Sequence, residues 1–594
     1  MAEHTLREKA ARVRHWLKRM QLLPPAARLA TFRELLPKRW YHWLSAVLLW
    51  VAMLYVLRAT GKAQWGFLTD PLLQNDDVRT SLFAFHRYEP NHAMADDPVA
   101  KEMLAYIPPL VRGLYRVFVP LTNVFVAVKL VQAVCVAIVF ASAGLLVRSK
   151  RAGLGTAMVL LFLFLHTNPT TNRLAGGLPR GFAFPCFALW VSGAVGGRER
   201  VRWVSALLAG ATYPSALAMI LAAEGLFVFR DGWRRVVVKR LARYAVLIVA
   251  CVAVTVPSLP SAPGDHVHSL AEAERDPAFG ASGRLRQFPL AEPEPEMLRY
   301  FLEPFTEYKA KPRTESASKY RSYWFLGPML GTLAMFLLVV TGLSARAHAA
   351  SAFFAGSVIM YAASVFLAFR LYAPERFYHF GMPPAAIALG TVAVGLLAPK
   401  LSRTTRATVR NLAATAFIAV VCHFTGTSVK PNNTGMGIDG RKQADLYAFV
   451  RALPVEARFL THPTDGDDLP FWAARGTLVA YETLQPWLVN EWHRQVELTH
   501  EVFRAMYATD REALLRFCEA KGATHVLVNK RRYDSDFRSQ AGLFQPLGSW
   551  VTSLLADVPQ EKLVLATPPT DAVVWENARF KIVSVEGLRR AWGM

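Results

Sequence analysis

Long apolar runs separated by short polar links recur through the first two thirds of the chain, and they restrict its fold more than any other feature. The first, WLSAVLLWVAMLYVL at 43–57, is followed by others at 121–147, 154–165, 182–195 and 246–256. Inside hydrocarbon every backbone N–H and C=O must be bonded within the chain, so such runs are helices, and about 20 residues suffice to cross a bilayer. With 594 residues and 53% hydrophobic content, the chain is too apolar for a water-soluble domain. It reads as a mainly α, polytopic helical membrane protein.

Charge orients the runs. Residues 1–41 are strongly basic, and Leu6, Ala10, Val13, Leu17 and Met20, then Leu29, Phe32, Leu35 and Leu36, fall at helical intervals. This is the pattern of a cytoplasmic amphipathic segment lying on an anionic inner leaflet. With basic residues inside, the crossing Trp43 to Leu57 leaves 59–118 exterior, and Leu121 to Val147 returns to the RSKR cluster at 148–151. Leu154 to Leu165 goes out and Phe182 to Val195 comes back. Residues 203–229 read as one crossing or as a tight pair broken at Gly210 and Pro214, and the basic stretch 230–243 favours the pair. Val246 to Val256 leads to a second exterior excursion, 258–322. Crossings near 324–343, 350–369, 379–398 and 411–425 bring the expected total to about eleven, within a transmembrane domain of 42–425.

From about residue 430 the pattern changes. RFLTHP, TLVAYE and THVLVNK are strand-like, while EWHRQVELTHEVFRAMY and DREALLRFCEAKG have helical spacing. Residues 430–594 are therefore expected to form a small exterior, periplasmic α/β domain. No glycine-rich phosphate loop joins a strand to a helix. The net charge of +24 is accounted for by cytoplasmic loops and membrane lipid, and without a basic-aromatic module it implies no nucleic-acid partner. Five cysteines, Cys135, Cys186, Cys251, Cys422 and Cys518, show no CxxC spacing, hence neither a metal site nor a disulfide framework. No cofactor is implied, and nothing in the spacing supports a divalent metal.

Between the first two crossings lies QNDDVRTSLFAFHRYEPNHAMADDP, residues 74–98, with the acid pairs Asp76/Asp77 and Asp96/Asp97. One aspartate at bilayer depth costs about 2.5 to 3.5 kcal/mol, so the stretch belongs outside the hydrocarbon. Asn75 is placed to cap a helix starting at Asp76, where the helix dipole and Arg79 favour ionised acids. The same acids also read as ordinary charge complementarity in a first turn, and the residues alone leave both readings open. Asp96/Asp97 read as a solvated turn before Pro98, DHVH at 265–268 as exposed loop, and Asp465, Asp467 and Asp468 as a calcium-loop fragment without its closing glutamate.

Three stretches carry a family resemblance: Asp76-Asp77-Val78-Arg79, Pro179-Arg180-Gly181-Phe182-Ala183-Phe184-Pro185, and LYAFVRALP at 446–454. With an inside N-terminus, a long first exterior loop and an exterior α/β domain, they make the chain similar to the GT-C superfamily of polytopic glycosyltransferases, in an uncharacterised bacterial branch. The resemblance implies transfer of a sugar from a polyprenyl-phosphate donor to a glycan, lipid or protein acceptor on the outer face of the bacterial inner membrane. It implies Asp76 or Asp77 as the base that takes the acceptor's proton. Guanidinium groups match phosphate oxygens, and Arg180 and Arg376 both precede apolar spans from the exterior side, with Arg173 and Arg370 behind them. Arg79 and His86 join them as expected substrate contacts. Snorkelling at the water boundary is the plain alternative for such arginines, and packing for the histidine. A non-catalytic assembly or export factor for surface polysaccharide or lipid, and a transporter, are the other functions the sequence allows.

Overall fold

The computed structural model describes residues 40–149, 153–166, 173–228, 238–259, 265–280, 282–284, scattered positions between 352 and 377, 402–425, 438–486, 488–534 and 543–594. The expected N-terminal amphipathic segment, the crossings near 324–343 and 379–398 and Arg376 lie outside the described residues.

The chain starts in α1 (Trp40–Thr69), whose Trp43, Val47, Val51, Leu54 and Tyr55 are exposed while Leu49, Met53 and Val56 are buried. A helix with apolar residues on both faces has an outer face of the kind that suits lipid. The connecting loop holds β1 (Leu73–Gln74), α2 (Asp76–Ser81), a 3-10 turn at Phe83–Tyr88, α3 (Pro98–Ala105) and α4 (Pro109–Leu121). Next come α5 (Val124–Val147), capped by Asn123, and α6 (Leu154–Leu165). Two 3-10 turns at Ala175–Gly177 and Pro179–Phe182 lead into α7 (Ala183–Gly196), which is buried along nearly its whole length against α5 and α8 (Glu199–Thr212). After α9 (Pro214–Val228) and α10 (Val238–Thr255) comes the short α11 (Leu270–Arg275), and α12 (Arg403–Thr425) packs against α1 and α6.

Among the described residues three helical segments are long and apolar enough to cross a membrane: Trp40–Lys62, Val124–Val147 and Arg240–Ser258. Leu154–Leu165 and Pro214–Val228 are apolar but shorter, so the expected eleven crossings are not all present as full-length spans among these residues. The stretch 203–229 is two helices, parted at Pro214, whose missing N–H and ring end α8. Gly210, the other expected break, stays inside α8, where a Cβ would sit 2.7 Å from Thr255 Oγ1 of α10. Its role is close helix packing.

The C-terminal domain runs β2 (Ile438–Asp439), α13 (Ala444–Ala452), β3 (Arg458–Thr461), α14 (Pro463–Gly466), α15 (Leu469–Trp472), β4 (Gly476–Thr477), α16 (Val489–Met506), α17 (Arg511–Lys521), β5 (His525–Asn529), α18 (Leu547–Leu555), β6 (Val573–Glu576), β7 (Phe580–Ser584) and α19 (Val585–Trp592). Its sheet has the order β4-β3-β5-β7-β6, with β4, β3 and β5 parallel and β7 antiparallel to both β5 and β6. TLVAYE contributes only its first residue to a strand, since the ladder stops at Thr477 and a 3-10 turn follows at Tyr481–Thr483. The β6–β7 hairpin is an addition to the sequence reading. A separate two-residue ladder, Leu73↔Asp439 and Gln74↔Ile438, ties the first loop to the entry of this domain.

Candidate active site

The acid pair sits at one mouth of the helical bundle. α1 ends and α5 begins there, and Lys129 Nζ of α5 donates to the Asp70 carbonyl at 2.9 Å while the Val124 N–H donates to Glu89 at 3.3 Å. Asn75 caps α2, its Oδ1 accepting the Asp77 N–H at 3.0 Å. Asp76 and Asp77 therefore occupy the first turn, where backbone N–H groups and the helix dipole favour negative charge. Both carboxylates are about half exposed, at 55% and 46%.

Each acid has its own arginine. Asp77 is ion-paired with Arg180, which also donates to Asn75 Oδ1 at 3.3 Å. A glycine hairpin delivers Arg180. Gly176 and Gly177 both take positive φ, 87° and 63°, and a Cβ on Gly176 would lie 2.5 Å from Val78 and 3.1 Å from Asn75. Only residues without a side chain allow this close approach in that conformation. Gln132 of α5 fixes the turn by accepting the Gly176 N–H at 3.0 Å, and the buried Tyr115 hydroxyl donates to the Gly177 carbonyl at 3.1 Å.

Asp76 is held by Arg79, whose Nε and Nη2 reach the same oxygen, Oδ1, at 2.9 and 2.7 Å. Arg79 Nη1 continues to Asp468 Oδ1 at 3.0 Å, with Asp467 Oδ2 at 3.9 Å. Asp468 Oδ2 accepts the Tyr447 hydroxyl at 3.2 Å, and Asp467 Oδ1 accepts the Glu482 N–H at 2.9 Å. Burial pushes the carboxyls of Asp467 and Asp468 above the ordinary range, against the pull of Arg79. Burial lowers the Arg79 guanidinium, but the three carboxylates outweigh it and leave it raised. The acidic loop read as a calcium fragment is thus the socket for Arg79, and Asp465 of the same loop is taken up by Asn529 and Arg532.

His86, expected among the substrate contacts, is fully buried, with Nε2 2.8 Å from the Phe471 carbonyl and Nδ1 3.0 Å from Glu89. It joins the loop to α15 and does not face the acids. Burial raises the Glu89 carboxyl, yet His86, the Val124 N–H and Arg451 together bring it below its ordinary value. Asp96 is solvated as expected, but Asp97 turns inward and caps α3 through the Ala100 N–H at 2.8 Å. In DHVH, Asp265 accepts the Asn490 and Glu491 N–H groups at 2.9 Å, and His268 is buried beside Asp276. Among the described residues no group of three or more His, Cys, Asp or Glu has metal-holding geometry.

Glu102, one of a second carboxyl pair, lines a cleft of about 420 Å³ between α3 and the C-terminal domain. Glu102 and Glu491 share Arg494 and Gln495, and burial with the neighbouring Glu491 pushes Glu102 up to about 8. Because the folded value exceeds the unfolded one, Glu102 carries no penalty below its unfolded value and costs stability progressively as pH rises through about 8. Glu491 is held low, so its own share is lost only at the acid end. Glu102→Gln is expected to flatten the fall in melting temperature between about pH 5 and pH 8. An unchanged pH slope in thermal unfolding of the variant would count against this reading.

The architecture defined here is an apolar helical bundle with a charged loop at one mouth, covered by an α/β domain. No family model and no curated protein sequence matches the chain. Solved structures similar to it include the apo oligosaccharyltransferase of Archaeoglobus fulgidus, at 12% identity and TM-score 0.48, covering 86% of this chain and 72% of that one. The Archaeoglobus enzyme AglB in complex with an inhibitory peptide and a dolichol-phosphate gives 12% and 0.44 over the same shares. ArnT of Cupriavidus metallidurans bound to undecaprenyl phosphate gives 12% and 0.37, covering 91% of this chain and 97% of that one. At 12% identity the likeness is one of overall architecture.

Proposed function

We propose that the chain is an integral membrane glycosyltransferase of the bacterial inner membrane. It moves a sugar from a polyprenyl-phosphate donor to an acceptor hydroxyl on the outer face. The observation that carries the reading is the pair of half-exposed carboxylates in one helical turn at the mouth of the bundle, each oriented by a separate arginine. Asp76 is the better base. Arg79 grips Oδ1 alone, and no described residue bonds Oδ2, which is left to accept the acceptor's proton as the glycosidic bond forms. Asp77 then serves to place Arg180, whose guanidinium stands beside the leaving phosphate and balances the charge released when the sugar's bond to the carrier breaks. Arg376 is proposed as a second cationic contact. Arg79 and His86 act behind the site, holding the loop in place.

The test uses full-length protein in lipid bilayers containing radiolabelled polyprenyl-phosphate sugars, with bacterial envelope fractions as acceptor. Label is expected to leave the carrier and enter a product in a protein-dependent manner. A label that stays on every carrier offered would overturn the enzyme reading, and translocation of a solute without covalent product would favour a transporter.

A further inference from the structure

We propose that the C-terminal domain holds the base in its working position through one relay, Asp76–Arg79–Asp468–Tyr447, making Asp468 a positioning residue for the Asp76 carboxylate. The inference rests on the assignment of Asp76 as base and adds what sets that base in place. Arg79 and Asp468 are 389 residues apart in the chain, yet their side chains meet at 3.0 Å. The contact is shielded, with the Arg79 side chain 11% exposed. An exposed pair three residues apart on a helix would do little to fix Asp76, because water and salt screen it. Here the guanidinium is forked, with Nε and Nη2 on Asp76 and Nη1 on Asp468, so moving either carboxylate moves the other.

The far end of the relay is equally fixed. Tyr447 lies on α13 with its ring stacked on Trp472 of α15 at 6.0 Å, and Trp472 stacks on Phe125 of α5 at 5.9 Å. The β1–β2 ladder enters from the other side, pairing Gln74, two residues before Asp76, with Ile438. The charged groups around Arg79 are Asp76 on its own helix, Asp467 and Asp468 from the acidic loop and, through Asp468, the Tyr447 hydroxyl from α13. One guanidinium thus answers to three carboxyls on two segments, and it cannot be satisfied by α2 alone.

The experiment compares wild type, Asp468→Asn and the milder Tyr447→Phe as full-length protein in lipid bilayers. Hydrogen exchange of the peptide spanning 74–82 is measured together with initial rates of transfer against donor concentration. Asp468→Asn is expected to speed exchange of the α2 amides by about tenfold while α17 stays unchanged, and Tyr447→Phe to act in the same direction more weakly. In transfer, Asp468→Asn is expected to lower kcat about tenfold with little change in donor KM. Unaltered exchange in α2 together with an unaltered kcat overturns the proposal. Faster exchange in a protein that transfers nothing even as wild type leaves the clamp standing and removes the enzymatic reading.

Discussion

Asp76→Asn is expected to lower the rate of sugar transfer by about 10²- to 10⁴-fold while the protein still inserts and keeps its fold, because an amide cannot take the proton from the acceptor. The change is nearly isosteric, and the side chain it alters is 55% exposed, so little stability depends on the negative charge itself. Arg79 retains Asp468 and Asp467 when Asp76 loses its charge, so α2 stays clamped. Asp77→Asn is expected to impair transfer by a different route, by freeing Arg180 from its ion pair, and to show as a raised donor KM as well as a lower kcat. The measurement is initial rate against donor concentration for both single variants and the double variant. Full activity in all three would remove the acid pair from the chemistry.

Arg202→Met should be the most damaging change in the helical bundle. Arg202 and Glu224 are 6% and 5% exposed, with Arg202 Nε 2.5 Å from Glu224 Oε1. The Trp190 indole donates to the same carboxylate oxygen at 2.8 Å, and the guanidinium lies over the Phe227 ring at 4.6 Å. Three helices, α7, α8 and α9, converge on this pair. Removing the cation alone leaves an uncompensated buried carboxylate, at a cost of about 3 to 5 kcal/mol. Replacing both partners, Arg202→Met with Glu224→Leu, removes the charges together and should recover most of the loss. Thermal unfolding in detergent would show it as a drop of about 5 °C or more in the single variant and a smaller one in the double. Equal melting of both variants would mean that the pair contributes little to the packing of these helices.

What could be read from the chain was whatever depends on near neighbours. The Asn75 cap and the first-turn acids follow from residues two or three positions apart, and the structure has that cap. The helices at 489–506 and 511–521 follow from apolar spacing and, for the second, from Asp510 before it and Gly522 after it. The parallel strands Arg458–Thr461 and His525–Asn529 were legible because strands buried on both faces are continuous apolar runs. The β6 strand alternates half-buried and exposed residues over only four positions between Pro569 and Asn577, too short a period to stand out.

The site was half legible for the same reason. Arg180 could be named from its place before an apolar span, but its pairing with Asp77 depends on a glycine hairpin that folds back over Asn75. The sequence signal was the Gly176-Gly177 doublet just before Leu-Pro-Arg. The socket for Arg79 carried no such signal. Asp467 and Asp468 belong to a residue type that serves equally in solvated turns and metal loops, and only the fold brings them to an arginine 389 positions upstream. His86 illustrates the converse, since proximity in sequence to the acids said nothing about a ring nitrogen that meets Phe471 across the domain boundary.

The two-residue ladder between Leu73–Gln74 and Ile438–Asp439 bears on how the protein is made. A ribosome adds about 5 to 20 residues each second, so the 389 residues separating Arg79 from Asp468 take roughly 20 to 80 s. During that interval the acid helix is already synthesised but has neither its second strand nor its socket. A chain cut short before residue 438 would carry the complete acid pair but neither the strand nor the carboxylates that hold its helix in the finished protein. Translation order thus makes the acid helix first and its anchor last.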